Sequence, residues 1–440
     1  MSFSNTSRTV LIDPHVDNSA RTRFRIPDGF YASSIKLIDV HVYDAQQTAD
    51  TGLFYPSING VLGAIRRLTL YSDDLTLSTC DELRAYAAIQ NLRTSNQGSE
   101  DHNRFELLNG INLSLSSGVY ESPDALSSAW TLQPKEKDYH NAWTANGRGY
   151  LHNQIKVASA ADQQSGQILL SNYLEFLAST PVLQMIPNLQ VEIEWDTSAA
   201  GFTQDADAPT AVGNPAYTHG RPTLVIEELI GMDPASARNV KIPYVQTVLE
   251  RFVVPAVGAG TPQQLTFRST AFNNKYVKDL TFFNQVTTSD GWFNRNERSP
   301  TMWKEKMQLI VNGSKYLPDQ GIDQEAMKLE YFSNTHGILN LPLIAGLQSI
   351  IDGSGNVIST EDAATASSTS DKLVHNFSVT AVRLETVITV NGLQIEYGRT
   401  GANNGSAQAQ TDGTGQFNLL CFGRVAKMLE IKDGKIRDSY

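Results

Sequence analysis

Charge is scarce in this chain. Of its 440 residues only 18% are Asp, Glu, Lys or Arg, against roughly a quarter in an average globular protein. What charge there is leans negative, with 46 acidic and 35 basic side chains and a formal net charge of −11. A chain that coats nucleic acid needs the reverse, because phosphate affinity comes from Lys and Arg displacing counterions. No specific nucleic-acid recognition is expected. Cysteine is nearly absent: Cys80 and Cys421 stand far apart. Two such thiols give neither a disulfide framework nor a zinc spacing, and in a β-rich chain they serve as core filler. No apolar run approaches the ~20 residues of a membrane-spanning helix. The opening MSFSNTSRTVLIDPHVD has no basic segment followed by an apolar one, so a secretory leader is not expected.

Reactive clusters are missing too. His15, His41, His102, His140, His152, His219, His336 and His375 are scattered, with no H-x-x-x-H pair and none beside a cysteine. There is no G-x-S-x-G elbow. Gly313-Ser314-Lys315 imitates the end of a phosphate loop but lacks its first glycine, so a turn after a strand is expected. Glu192 and Glu194 lie two apart on one strand and point the same way, about 7 Å apart. A glycosidase pair must instead converge across a groove, so these read as a solvated or intersubunit face. Glu227 and Glu228 alternate, so one is free to turn inward toward a residue such as Arg251. No catalytic, metal-binding or cofactor-binding residue is assigned, and no enzymatic activity is expected.

What is abundant is β pattern. Ile35–Val42, Ile65–Tyr71, Leu189–Trp195, Thr223–Leu229, Val248–Val254, Gln264–Arg268, Val277–Phe283, Met307–Val311, Val379–Val390 and Phe417–Gly423 read as strands, separated by Gly, Asn, Asp, Ser and Pro clusters. Helices are few. Asp81–Arg93 is the best, with Thr79 as N-cap, Glu82 at the capping-box position, and Leu83, Tyr86, Ala87 and Gln90 on one face. Leu169–Ala178 and Gln324–Phe332 are shorter candidates. Ala199–Pro222, Asp352–Asp371 and Gly398–Gln416 are polar and read as long loops.

The chain also resembles itself. Leu68-Thr69-Leu70-Tyr71 matches Leu280-Thr281-Phe282-Phe283, and Leu189-Gln190-Val191-Glu192-Ile193 matches Leu393-Gln394-Ile395-Glu396-Tyr397, in order and at similar offsets. Two ordered matches suggest two copies of one β unit of about 200 residues, a size that suits a jelly roll. The expected division is an N-terminal arm over 1–20, a first jelly roll over 21–232 and a second over 233–440, with the boundary near Gly231–Tyr244.

The order of NGVLGAIRRLTLY (59–71), NYLEFLASTPVL (172–183), NLQVEIEWDTS (188–198), TLVIEEL (223–229), FNNKYVKDLTFF (272–283), EKMQLIVNGSKYLPDQGI (305–322) and FNLLCFGRVAKMLEI (417–431) resembles capsid proteins of virophages and Polinton-like viruses. The resemblance spans roughly residues 20–435. It implies an all-β fold with few short helices, two tandem jelly-roll β-sandwiches (a double jelly roll). It further implies a structural major capsid protein that trimerises into the capsomer of an icosahedral virus shell. The partners would be itself, neighbouring capsomers, and penton and other minor capsid proteins. The location would be the virion after synthesis in the host cytoplasm. At 440 residues the chain is short for that family, which leaves a pentameric penton (vertex) protein as the alternative. A jelly-roll carbohydrate-binding protein or glycosidase is the second.

Candidate intersubunit or interior contacts follow from charge and aromatics. Arg21, Arg23 and Arg25 alternate in RTRFR and would point one way on an extended segment, toward a neighbour's acidic surface or the shell interior. Lys427, Lys432 and Lys435 form a second basic group near the C-terminus. Trp130 and Trp143 lie in a polar stretch with Tyr139 and Tyr150 and are expected to bury against a loop or a neighbouring subunit.

Overall fold

A computed structural model gives the arrangement of these elements. The structure describes residues 6–27, 32–44, 53–54, 60–93, 166–179, 186–196, 203–204, 217–230, 239–286, 299, 305–322, 325–337, 350–351, 357–358, 379–401, 415–432 and 435–439. In the first half the strands are β1 Thr6–Ile12, β2 Val16–Asn18, β3 Arg21–Arg25, β4 Ala32–Val40, β5 Val42–Asp44, β6 Leu53–Phe54, β7 Ile65–Ser72, β8 Leu75–Asp81, β9 Gly166–Leu169, β10 Leu189–Trp195, β11 Thr203–Gln204, β12 Tyr217–His219 and β13 Thr223–Ile230. In the second they are β14 Asn239–Val254, β15 Pro262–Arg268, β16 Lys275–Val286, β17 Lys306–Val311, β18 Ser314–Lys315, β19 Ile350–Ile351, β20 Val357–Ile358, β21 Thr380–Val390, β22 Leu393–Thr400, β23 Phe417–Lys432 and β24 Lys435–Ser439. The described helices are α1 Leu83–Arg93, α2 Glu175–Ser179 and α3 Glu325–His336.

Strand order reveals the duplication. The first half builds one sheet ordered β1-β13-β4-β9 and another ordered β2-β3-β10-β7-β8. The second builds β14-β23-β16-β21, with β24 added at β23, and β15-β22-β17-β18. Number the eight principal strands of each half in chain order, leaving out β2, β24 and the short ribbons. Both halves then read 1-8-3-6 in one sheet and 2-7-4-5 in the other. The chain is a double jelly roll, and every pairing among the described strands stays within residues 6–230 or within 239–439.

This order corrects one of the two self-matches. β10 and β22 are both seventh strands, so the match of Leu189–Ile193 to Leu393–Tyr397 joins equivalent positions. Leu68–Tyr71 lies in β7, a fourth strand, whereas Leu280–Phe283 lies in β16, a third. The apolar alternation shared by half-buried strands produced that match; the topological counterpart of β7 is β17.

Alternation accounts for most strands. β10 buries every second residue, Leu189, Val191, Ile193 and Trp195. β23 instead buries nearly everything from Leu419 to Gly423, because its sheet lies between two apolar layers. Leu419 and Cys421 join Leu280, Phe282, Ile395 and Tyr397 in the second sandwich's core. Leu420 and Phe422 face the other way and join a core that also holds Phe24, Leu68, Val191 and Phe176 of the first sandwich. The 1-8-3-6 sheet of the second sandwich thus serves both.

Several local expectations change. Thr79 caps no helix: β8 runs through it, opposite Thr69, and its hydroxyl donates to the Leu68 carbonyl at 3.4 Å. Glu82 turns the chain into α1 at φ 50°. The helix is buried on all sides from Leu83 to Ile89 rather than on one face. Leu169–Ala178 divides into the end of β9, a 3-10 turn at Leu170–Asn172 and α2. Ile35–Val42 bulges at Asp39, whose φ is 57°, and breaks at His41 between β4 and β5. Residues 6–18, placed in an arm, form β1 and β2, which pair with β13 and β3. Asn239–Tyr244, placed at the domain boundary, opens β14, an edge strand that tolerates Pro243. Gly313 completes a hairpin turn with Asn312, at φ 82° and 51°, the signs a tight two-residue turn requires, and Ser314-Lys315 form β18.

Candidate functional site

The first candidate surface is the outer face of β3, β10 and β7. Arg23 stands opposite Glu192 and Arg21 opposite Glu194 in the antiparallel register. Arg23 ion-pairs with Glu192, and Arg67 with Glu194. Arg66 reaches Glu194 at 3.5 Å and Arg67 reaches Asp81 at 3.4 Å. Arg25 Nη2 donates to Asn188 Oδ1 at 2.7 Å. Sequence reading aimed all three arginines at a partner. The fold instead spends Arg23 and Arg25 on their own sheet, because β10 brings two glutamates into register beside them. It likewise gives Glu192 and Glu194 partners inside the chain. The pairing proposed for Arg251 also changes: Arg251 meets Glu82, while Glu228 meets Arg8 across β1 and β13.

The lysines lie elsewhere. Lys427 is half-buried on β23 opposite Tyr244, and Lys432 ends that strand exposed, opposite Asn239 and Lys435. They belong to the second sandwich, on a different sheet from RTRFR. Trp130 and Trp143 lie outside the described residues.

The second candidate is the seam between the sandwiches, which sequence reasoning missed. Here α1, α2 and β8 of the first sandwich pack on the β14-β23-β16-β21 sheet. Phe176 meets Tyr244 edge-on at 5.0 Å and Tyr86 meets Phe422 at 5.4 Å. Polar groups thread between them. Tyr86 donates to Glu175 Oε1 at 2.9 Å, and Ser179 Oγ accepts from the Val245 N–H at 3.3 Å. Glu82 ion-pairs with Arg251 and Arg84, accepts from Gln285 Nε2 at 3.4 Å, and Arg84 turns also to Asp196. Burial works against ionisation of Glu82, but Arg84 and Arg251 outweigh it and hold its carboxyl below the ordinary range. Arg424 grips Asp279 with Nε at 2.9 Å from both carboxylate oxygens.

The third is an open apolar face. On the side of the β1-β13-β4-β9 sheet turned away from the core, one rung runs Leu11, Val225, Lys36, Leu169. Leu11 is 64% exposed and Leu169 41%, with Val225 buried between them. Such large aliphatic groups in water mark a contact surface.

None of these surfaces gathers reactive groups. Among the described residues no cluster of three or more His, Cys, Asp and Glu could hold a metal ion, and no helix is long and apolar enough to cross a membrane. Cys80 and Cys421 are buried, and burial raises both thiols well above their usual range, which keeps them unreactive. What the surfaces can do chemically is bury against protein.

No family model matches the chain, and no curated protein is similar to it in sequence. Solved structures are similar in fold. A chain of the Sputnik virophage structure matches with a TM-score of 0.56 at 10% identity, over 100% of this chain and 89% of that one. A chain of the PBCV-1 virus capsid matches at 0.53 and 8% identity, over 100% and 98%. The mavirus major capsid protein matches at 0.50 and 12% identity, over 100% and 90%. The likeness spans both sandwiches and is one of fold.

Proposed function

We propose that this chain is a structural major capsid protein: a homotrimeric double jelly-roll capsomer of an icosahedral virus shell, resident in the virion after synthesis in the host cytoplasm. The structures it resembles come from a virophage, a virus capsid and a major capsid protein, which supports a shell role. The observation that carries the reading is an asymmetry between the two halves. They share one strand order, yet the outer face of the 1-8-3-6 sheet is covered in one and partly open in the other. In the second sandwich that face meets α1 and α2 of the first through Tyr244, Leu420 and Phe422. In the first sandwich the equivalent face shows Leu11 and Leu169 to solvent. A second copy of the chain would cover it, and a contact that joins two different surfaces closes a ring when its rotation is a whole fraction of a turn, a third for a trimer. Three copies present six similar sandwiches, the outline a six-fold lattice position needs. Neighbouring capsomers and penton and other minor capsid proteins are then its partners. The reading assigns no catalytic step and no sequence-specific contact with nucleic acid.

Light scattering on purified protein tests it. The expected mass is three times the 48.3 kDa chain. A five-fold mass would favour a vertex protein, and a single-chain mass at micromolar concentration would remove the shell role.

A further inference from the structure

We infer that the second sandwich joins Lys328 to Asn284 through an intramolecular isopeptide bond, with Glu305 as the carboxylate that moves the protons. Three separate elements bring these side chains together. Asn284 sits on β16 on the same side as Leu280 and Phe282, so it faces the sandwich interior. Glu305 immediately precedes β17, and Lys328 lies in the first turn of α3. All three are withdrawn from water: Asn284 is 2% exposed, Glu305 4% and Lys328 1%.

The carboxylate holds one reactant on each oxygen. Lys328 Nζ donates to Glu305 Oε2 at 2.8 Å, and Asn284 Nδ2 donates to Glu305 Oε1 at 2.8 Å. The Asn284 backbone N–H donates to Ser299 Oγ at 2.8 Å, which fixes the strand behind the carboxamide. Tyr397, fully buried in the same core, stands next to Glu305; burial, and then that carboxylate, push its phenol up. As a plain ion pair this arrangement is costly. Both charges lose their hydration, and lysine is almost never fully buried without compensation. As a reaction centre it makes sense. An amine and a carboxamide are held on one acid–base group in a dry pocket, which supplies the proximity and the proton path that amide transfer needs.

The step balances without any co-reactant. Lys328 gives a proton to Glu305, and the neutral Nζ attacks Cγ of Asn284. Glu305 returns that proton to Nδ2 of the tetrahedral intermediate, takes the second proton from Nζ, and passes it to the leaving nitrogen. The Cγ–Nδ2 bond breaks, the Nζ–Cγ bond stays, and nitrogen departs as ammonia together with the positive charge lysine brought in. Nothing is oxidised or reduced. The product ties β16 to α3 covalently across a charged pocket.

Intact-mass spectrometry of the full-length chain decides the matter, independently of the capsomer reading. The expected mass is one ammonia below the sequence value. A tryptic digest should contain a branched peptide that joins the segments holding Asn284 and Lys328. Glu305→Gln should return the mass to the sequence value, and Asn284→Asp should lose one water in place of ammonia. A wild-type mass equal to the sequence value overturns the inference. So does an ammonia loss that maps to one linear peptide, the mark of a cyclised asparagine. Should Glu305→Gln yield no soluble protein, the wild-type mass and its branched peptide decide alone.

Discussion

Glu82 links the two sandwiches electrostatically. It faces Arg84 from α1, Arg251 from β14 and Gln285 from β16. Burial pushes its carboxyl up, but Arg84 and Arg251 outweigh that and hold it below the ordinary glutamate value of about 4.5. A depressed folded value means stability present above 4.5 and lost as pH falls through the lower, folded value. Thermal melts of the full chain should therefore drop below pH 4.5, and Glu82→Gln should flatten that slope; an unchanged slope would exclude Glu82 as its source. Glu82→Ala removes the carboxylate that Arg251 and Arg84 share in a largely buried site, so it should cost about 3 kcal/mol. Arg251→Ala should cost about 1 kcal/mol, because Arg251 is partly solvated and Glu82 keeps Arg84. Gly423 is demanding for a steric reason: a Cβ there would lie 2.2 Å from the Phe272 ring. Gly423→Ala should cost about 1–3 kcal/mol by overpacking, read as a lowered melting temperature. A melt equal to wild type would show that Phe272 simply moves aside.

At the scale of elements, strands that alternate were legible in the sequence, and strands at edges or junctions were not. β10 was bounded correctly because Leu189–Trp195 alternates cleanly. β8 was hidden because Thr79 and Glu82 imitate a capped helix start, whereas β7 claims Thr79 for its ladder. β1 escaped notice because an exposed edge strand carries little apolar signal. Of the candidate contacts, RTRFR was recognised as charged and one-sided, but its glutamate partners lie on β10, about 170 positions away in sequence, and only pairing reveals them. The seam and the Lys328–Glu305 contact had no local signature at all. Charged residues in a helix and a loop read as surface until packing encloses them. The partly open face makes a prediction at this scale. Leu11→Asp with Leu169→Asp should leave folding within about 0.5 kcal/mol, as exposed substitutions do, yet shift the light-scattering mass toward a single chain. An undisturbed oligomer would place the contact elsewhere.

Taken whole, the molecule is one β unit used twice, with the halves fused through the outer face of one copy's sheet. The fusion gives that sheet its unusual strands: β16 and β23 bury residues on both faces because each lies between two cores. The low charge of the chain suits the same end. Under the proposed shell role, surfaces that tile against like copies gain from amide and hydroxyl hydrogen bonds and lose from like-charge repulsion. The most direct test is electron microscopy of the purified oligomer, averaged by class. The account predicts particles with three-fold symmetry and six lobes, two per chain. Five-lobed rings, or fields of dispersed two-lobed single chains, would contradict it.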